Sequence, residues 1–156
     1  YKVLSPVVEE VLKPEYDCLF GVACVDLREL EVQARLTNVY DYIADYFHPI
    51  REEVAGREVT TPVSPVLITK ILMGTLGCVP AYDRFFQDGV ATYKVTTREY
   101  SLKSVLRLVD FYEEHNDRLE EARRGMQCED LTYPQMKLLD MGLWQVGFER
   151  DAGDAK

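Results

Sequence analysis

Apolar residues recur at intervals of three and four along most of this chain, and the recurrence divides it into helices. The opening LSPVVEEVLK is the first. Val7, Val8, Val11 and Leu12 make its apolar side, Ser5 can cap it and Pro6 suits the first helical position. Glu9 and Glu10 suit the positive end of its dipole, and Pro14 stops it. CLFGVACV, residues 18–25, is too short to assign by period; with no partner strand in view it reads as a helical or irregular core segment. From Asp26 a longer helical pattern begins. Leu36, Val39, Tyr40, Ile43, Tyr46, Phe47 and Ile50 share one face, with Asn38, Asp41 and Asp45 opposite. His48-Pro49 is expected to end or kink it.

REEVAGREVTTPVSP then reads as a linker. Ser64-Pro65 opens a helix through about Leu76, with Gly77 placed as its C-terminal cap. Pro80 falls in the first turn of a short helix carrying Tyr82, Phe85 and Phe86, closed by Gly89. Residues 68–89 thus predict helix, tight turn, helix. Beyond them, a short hairpin near 92–97 is one reading; a cap at Thr97 or Ser101 for the next helix is the clearer one. Leu102, Val105, Leu106, Val109, Tyr112 and Leu119 form that helix's inner face. Glu113, Glu114, Glu120, Glu121, Arg123 and Arg124 make a solvated end, and Gly125 stops it. The last helix takes Thr132 as cap and Pro134 in its first turn, turns Met136, Leu139, Leu143 and Trp144 inward, and ends at Gly147. The sum is a mostly all-α, single-domain bundle of unequal helices over residues 1–148, with 149–156 a flexible tail.

Composition agrees with this reading. A chain of 156 residues, 47% hydrophobic, is enough for one domain with a core. The net charge of −9 disfavours broad attraction to nucleic acid or to an anionic membrane, and no apolar run is long enough to span a bilayer. The chain opens on Tyr1 inside an apolar pattern, so residues upstream of it are expected. Cys18, Cys24, Cys78 and Cys128 form no C-x-x-C pair, and His48 and His115 lie far from them; no zinc pattern results, and no metal or other cofactor is implied. Cys18, Cys24 and Cys78 sit among apolar neighbours like buried thiols, which suggests a reducing cytoplasm.

Phosphate-loop, nucleophile-elbow, H-E-x-x-H and calcium-loop patterns are absent. Candidate chemistry gathers instead between Lys70 and Arg84, and in KLLDMGLWQVG of the last helix. Lys70 among apolar neighbours either snorkels to the surface or points across the turn at a carboxylate or an anion. In the second case a lowered pKa would let it act as base or nucleophile. Asp83, early in a helix, gains from the dipole without any ligand; Tyr82 packs with one hydrogen bond or offers its hydroxyl. Asp140 lies one turn from the lone Trp144 and one turn after Lys137. If buried, it needs a donor, which Lys70 or Tyr82 could supply. Lys70, Tyr82, Asp83 and Asp140 are therefore the catalytic candidates, and Gly77, Arg84 and Trp144 the ligand-binding ones.

Residues 70–86 partly resemble the helix-hairpin-helix element of DNA glycosylases and related DNA-binding proteins, with Leu72-Met73-Gly74-Thr75-Leu76 supplying one of the two glycines of its L-P-G-V-G form. The lysine, glycine turn and P-x-Y-D are also similar to small helical bacterial proteins of unknown role, a likeness that implies a fold type and no activity. Two functions are expected. The first is a non-catalytic domain that binds a protein partner or itself, consistent with ten tyrosines that cannot all be interior. The alternative is an enzyme or nucleic-acid-acting protein with its site at 70–84 and the last helix.

Overall fold

A computed structural model describes residues 2–127 and 131–154. Among the described residues seven α-helices carry the architecture: α1 (Ser5–Val11), α2 (Leu30–Ala55), α3 (Pro65–Thr75), α4 (Arg84–Tyr93), α5 (Leu102–Glu114), α6 (Asn116–Gly125) and α7 (Gln135–Asp154). No strand forms among the described residues, so the all-α expectation holds and the hairpin near 92–97 does not form. There Tyr93 ends α4, and Lys94 takes the left-handed conformation. Among the described residues, no helix is long and apolar enough to cross a membrane.

The segment between α1 and α2 is irregular, as its sequence implies: two short 3-10 turns, Pro14–Leu19 and Cys24–Arg28, bury Tyr16, Leu19, Cys24 and Leu27. Cys18 departs from expectation. It sits on the outer side of its turn, exposed, while Cys24 and Cys78 are buried and their thiols are pushed up to about 12 by burial. Helix α1 has no side-chain cap; Ser5 is its first residue rather than its cap.

Helix α2 is the long axis of the core and buries Val32, Leu36, Val39, Ile43 and Phe47 at helical spacing. Its flanking aromatics lie half-buried, Tyr40 stacked on Tyr100 at 4.7 Å. Pro49 neither ends it nor marks its boundary. The helix runs on to Ala55 and stops at Gly56, whose φ is +63°. Pro49 lies on the exposed side, where the carbonyl it deprives of a donor is open to solvent rather than sealed in the core.

Ser101 is the cap of α5, accepting from the Ser104 N–H. The helix expected to run on to Gly125 is broken at His115, so α5 and α6 are separate elements. Tyr112 and Leu119 are seven apart and keep the apolar phase across the break, which hides it from periodicity. Glu120 ties α6 to its neighbours. It accepts from the Tyr112 hydroxyl and the Gln135 amide, both at 2.7 Å, and pairs with Arg123 at 2.8 Å. Burial alone would raise its pKa; Arg123, Tyr112 and Gln135 outweigh that and hold it at about 2.

Helix α7 starts at Gln135, just after Pro134, and passes through Gly147 to Asp154. Residues 149–154, expected in a tail, are thus its last turns. Gly147 continues the helix because it faces α4 at backbone distance: a Cβ there would lie 1.9 Å from the Phe85 carbonyl oxygen. Gly89 does the same from the other side, 1.9 Å from the Leu143 carbonyl oxygen. Rather than closing α4, Gly89 lets the two helices touch. Gly89→Ala or Gly147→Ala is expected to destabilise the fold by at least about 1–3 kcal/mol in urea denaturation, through overpacking. Gly142→Ala, where nothing lies within 4 Å, is expected to stabilise α7 slightly. Glu120 binds fewer protons folded than unfolded at low pH, so its contribution is present above the ordinary glutamate range and lost as pH falls toward about 2. Replacing it with glutamine should flatten that acid limb of a stability-against-pH curve.

Candidate functional site

Between α3 and α4 the chain does not make a tight turn. Residues 76–82 are all buried, and the chain reaches the start of α4 only at Asp83. Pro80 and Tyr82 lie in this crossing, not in a helix. Asp83 is the cap, accepting from the Phe86 N–H at 3.2 Å, and a capping carboxylate fixes the start better than Pro80 does. Gly77 does turn the chain out of α3, with φ +66° and its N–H on the Leu72 carbonyl at 3.0 Å. Pro134 packs on it so closely that a Cβ would meet the Pro134 ring at 2.7 Å.

A buried segment outside helix or sheet must find partners for its amides. Here side chains provide them. The Ala81 N–H donates to Asp140 Oδ1 at 2.8 Å, and the Tyr82 N–H to Thr69 Oγ1 at 3.1 Å. The Tyr82 carbonyl accepts from the Gln87 amide at 2.7 Å, and the Leu76 carbonyl from the Gly21 N–H at 2.8 Å. Asp140 is the outlying member, reaching the crossing from α7.

Beside Asp140 opens a hollow of about 530 Å³ lined in part by Lys70, Met73, Asp83, Lys137, Asp140 and Trp144. Two ion pairs frame it: Lys70 Nζ to Asp83 at 3.3 Å and Lys137 Nζ to Asp140 at 3.5 Å. The Lys137 amine also lies 3.0 Å from the Met73 thioether. Burial raises the Asp140 pKa and Asp83 adds to the rise, while the Ala81 N–H and Lys137 pull it down; the net direction is up.

Four of the residues singled out in the sequence therefore converge: Lys70, Asp83, Asp140 and Trp144. Others do not. Tyr82 points into the core, where its hydroxyl lies 2.7 Å from the Ser104 hydroxyl and burial raises its pKa. Neither Tyr82 nor Lys70 is the donor to Asp140; the Ala81 amide and Lys137 are. Arg84 stands on the surface, paired with Asp151 and 4.9 Å over the Phe85 ring. Gly77 lines an adjoining hollow. Trp144 is not a core residue but half-buried, stacked on Phe148 at 5.2 Å and edge-on to Phe85 at 5.1 Å. Sequence reasoning noted the spacing of Lys137 without giving it a role, and missed Met73 and Thr69. An amide acceptor such as Thr69 leaves no pattern until the buried crossing is known.

Asp140→Ala removes the acceptor for the Ala81 N–H and is expected to cost about 1–3 kcal/mol in denaturant unfolding. Asp140→Asn keeps an acceptor oxygen at that place and should lose less; equal losses would assign the effect to the Lys137 ion pair instead. Comparison with protein-family models, with curated proteins and with solved structures finds no match for this chain, so the chemistry of the hollow rests on its own residues.

Proposed function

We propose that this chain is a non-catalytic helical interaction domain that binds a protein partner through the outer face of α4 and α7 and the adjoining hollow. The observation that carries this reading is the division of labour at the site. The charged groups are engaged in structure: Asp83 caps α4 and holds Lys70, and Asp140 holds the buried crossing and Lys137. Beside them an aromatic ridge stands at the surface. Phe148 is 44% exposed, and Trp144 and Phe85 are half-buried. Aromatic side chains with a free face and a polar rim are the usual anchors of protein interfaces. Arg84 and Asp151 supply such a rim.

The test is a comparison of variants in capture of partners by chemical crosslinking in cells. Phe148→Glu should abolish a defined crosslinked species that Val54→Glu leaves intact, Val54 being 84% exposed near the C-terminal end of α2. Light scattering of the purified chain over a range of concentrations then separates a partner from a second copy. A species equally retained by both variants would remove the α4/α7 face from consideration.

A further inference from the structure

Helix α6 is held to the fold differently from its neighbours. Helices α2 and α5 each present a buried face to the core; among the described residues α6 has no buried member. Seven of its ten residues are exposed, and Leu119, Glu120 and Arg123 are part-buried. A short helix draws most of its stability from an apolar face packed on neighbours, and a helix of this length alone in water is marginal.

The contacts that hold α6 are mostly polar. Leu119 rests on the core. Glu120 accepts from the Tyr112 hydroxyl and the Gln135 amide, and Arg123 donates to the Tyr133 carbonyl at 3.2 Å. The ion pair of Glu120 with Arg123 lies within α6 itself, three positions apart. The two charges therefore travel together, and lifting α6 strands neither of them in the core. At its other end α6 joins α5 through a single residue. His115 is the last cap of α5 and the first of α6, and its side chain does not cap α6. Beneath Glu120 lies buried Cys24. The Cys24 N–H donates to Gln135 Oε1 at 2.6 Å, and the same Gln135 amide group holds Glu120. Glu120, Arg123 and the Tyr112 hydroxyl stand close enough to the Cys24 thiol to interact with its charge.

We infer that α6 is a strap: it lifts and unwinds from His115 while the rest of the fold stays closed, and in lifting it uncovers Cys24 beside Tyr112 and Gln135. The uncovered face belongs to the second 3-10 turn, α5 and the first turn of α7. Helix α4 has no part in it, so the strap works apart from the partner face proposed above.

The reporter is alkylation of Cys24 by iodoacetamide, read peptide by peptide by mass spectrometry, with Cys78, buried in the crossing, as internal standard. Rates are taken relative to the urea-unfolded chain, at reagent concentrations where reclosing outruns alkylation. Each rate then reports the fraction of molecules open at that thiol. Cys24 is expected to react at least about tenfold faster than Cys78, which waits for global unfolding. Ala122→Gly, on the exposed side of α6, weakens the helix without touching a neighbour and should speed Cys24 about fivefold. Ile43→Val, in the buried face of α2, should speed Cys78 about fivefold and leave Cys24 unchanged, because lifting α6 leaves that core intact. Equal rates at the two thiols, or an effect of Ile43→Val as large on Cys24 as on Cys78, would make the opening global and overturn the strap. A Cys24 rate indifferent to Ala122→Gly would overturn it too, by placing the opening in the 3-10 turn rather than in α6.

Discussion

The fold depends on a stretch of buried backbone that belongs to neither helix nor sheet. Residues 76–82 cross the interior between α3 and α4, and their polar groups are met from four directions: Gly21 in the loop after the first 3-10 turn, Thr69 within α3, Gln87 on α4, and Asp140 on α7. Each of these bonds replaces a hydrogen bond to water, and leaving one unmade inside the core would cost more than making it gains. The crossing therefore fixes where the other elements can stand. Helix α7 must present Asp140 at the level of Ala81, and this sets its height against α4. Gly89 and Gly147 then let the two helices approach to backbone contact at that height. An aspartate and two glycines thus fix one docking geometry by complementary means, one by a directed bond and the others by the absence of side chains.

Much of the helical framework was legible in the sequence because it depends on local chemistry and on period. The face of α2 follows from Leu36, Val39, Ile43 and Phe47 at spacings of three and four, and Ser101 and Gly77 act where their residue types say they should. The failures share a cause. Intrinsic preference makes Gly147 a stop and Pro49 a stop or a kink, yet what decides whether each helix continues is its surroundings: solvent around Pro49, the Phe85 carbonyl against Gly147. Gly77 and Pro80 look like corner residues and make the crossing read as a tight turn. Its length became apparent only with the acceptors that make an extended buried path tolerable, and those are scattered from Gly21 to Asp140.

The candidate site was legible to a similar degree. Turn and helix positions group Lys70, Tyr82, Asp83 and Asp140 as one set and Gly77, Arg84 and Trp144 as another, and of these Lys70, Asp83, Asp140 and Trp144 line one hollow. Which donor serves which carboxylate was not legible. Lys70 reaches Asp83 across the start of α4, and Asp140 accepts from the Ala81 amide, 59 positions away in sequence, because the crossing brings Ala81 to it. Tyr82 follows Ala81 directly, but the chain turns there, the Asp83 N–H donating to the Ala81 carbonyl at 2.7 Å, and the Tyr82 hydroxyl lies against Ser104 in the core instead.

The place of α7 in the chain gives the crossing a consequence for synthesis. The amide of Ala81 leaves the ribosome long before its acceptor, 59 positions downstream, has been made. At about 5–20 residues per second that gap lasts several seconds. Throughout it, the buried path and the inner face of α4 lack the helix that closes them. Until α7 is made, the apolar α4 face it covers has no partner, and α7 acts as the latch. The face that α4 and α7 form together thus exists only in a chain synthesised through α7.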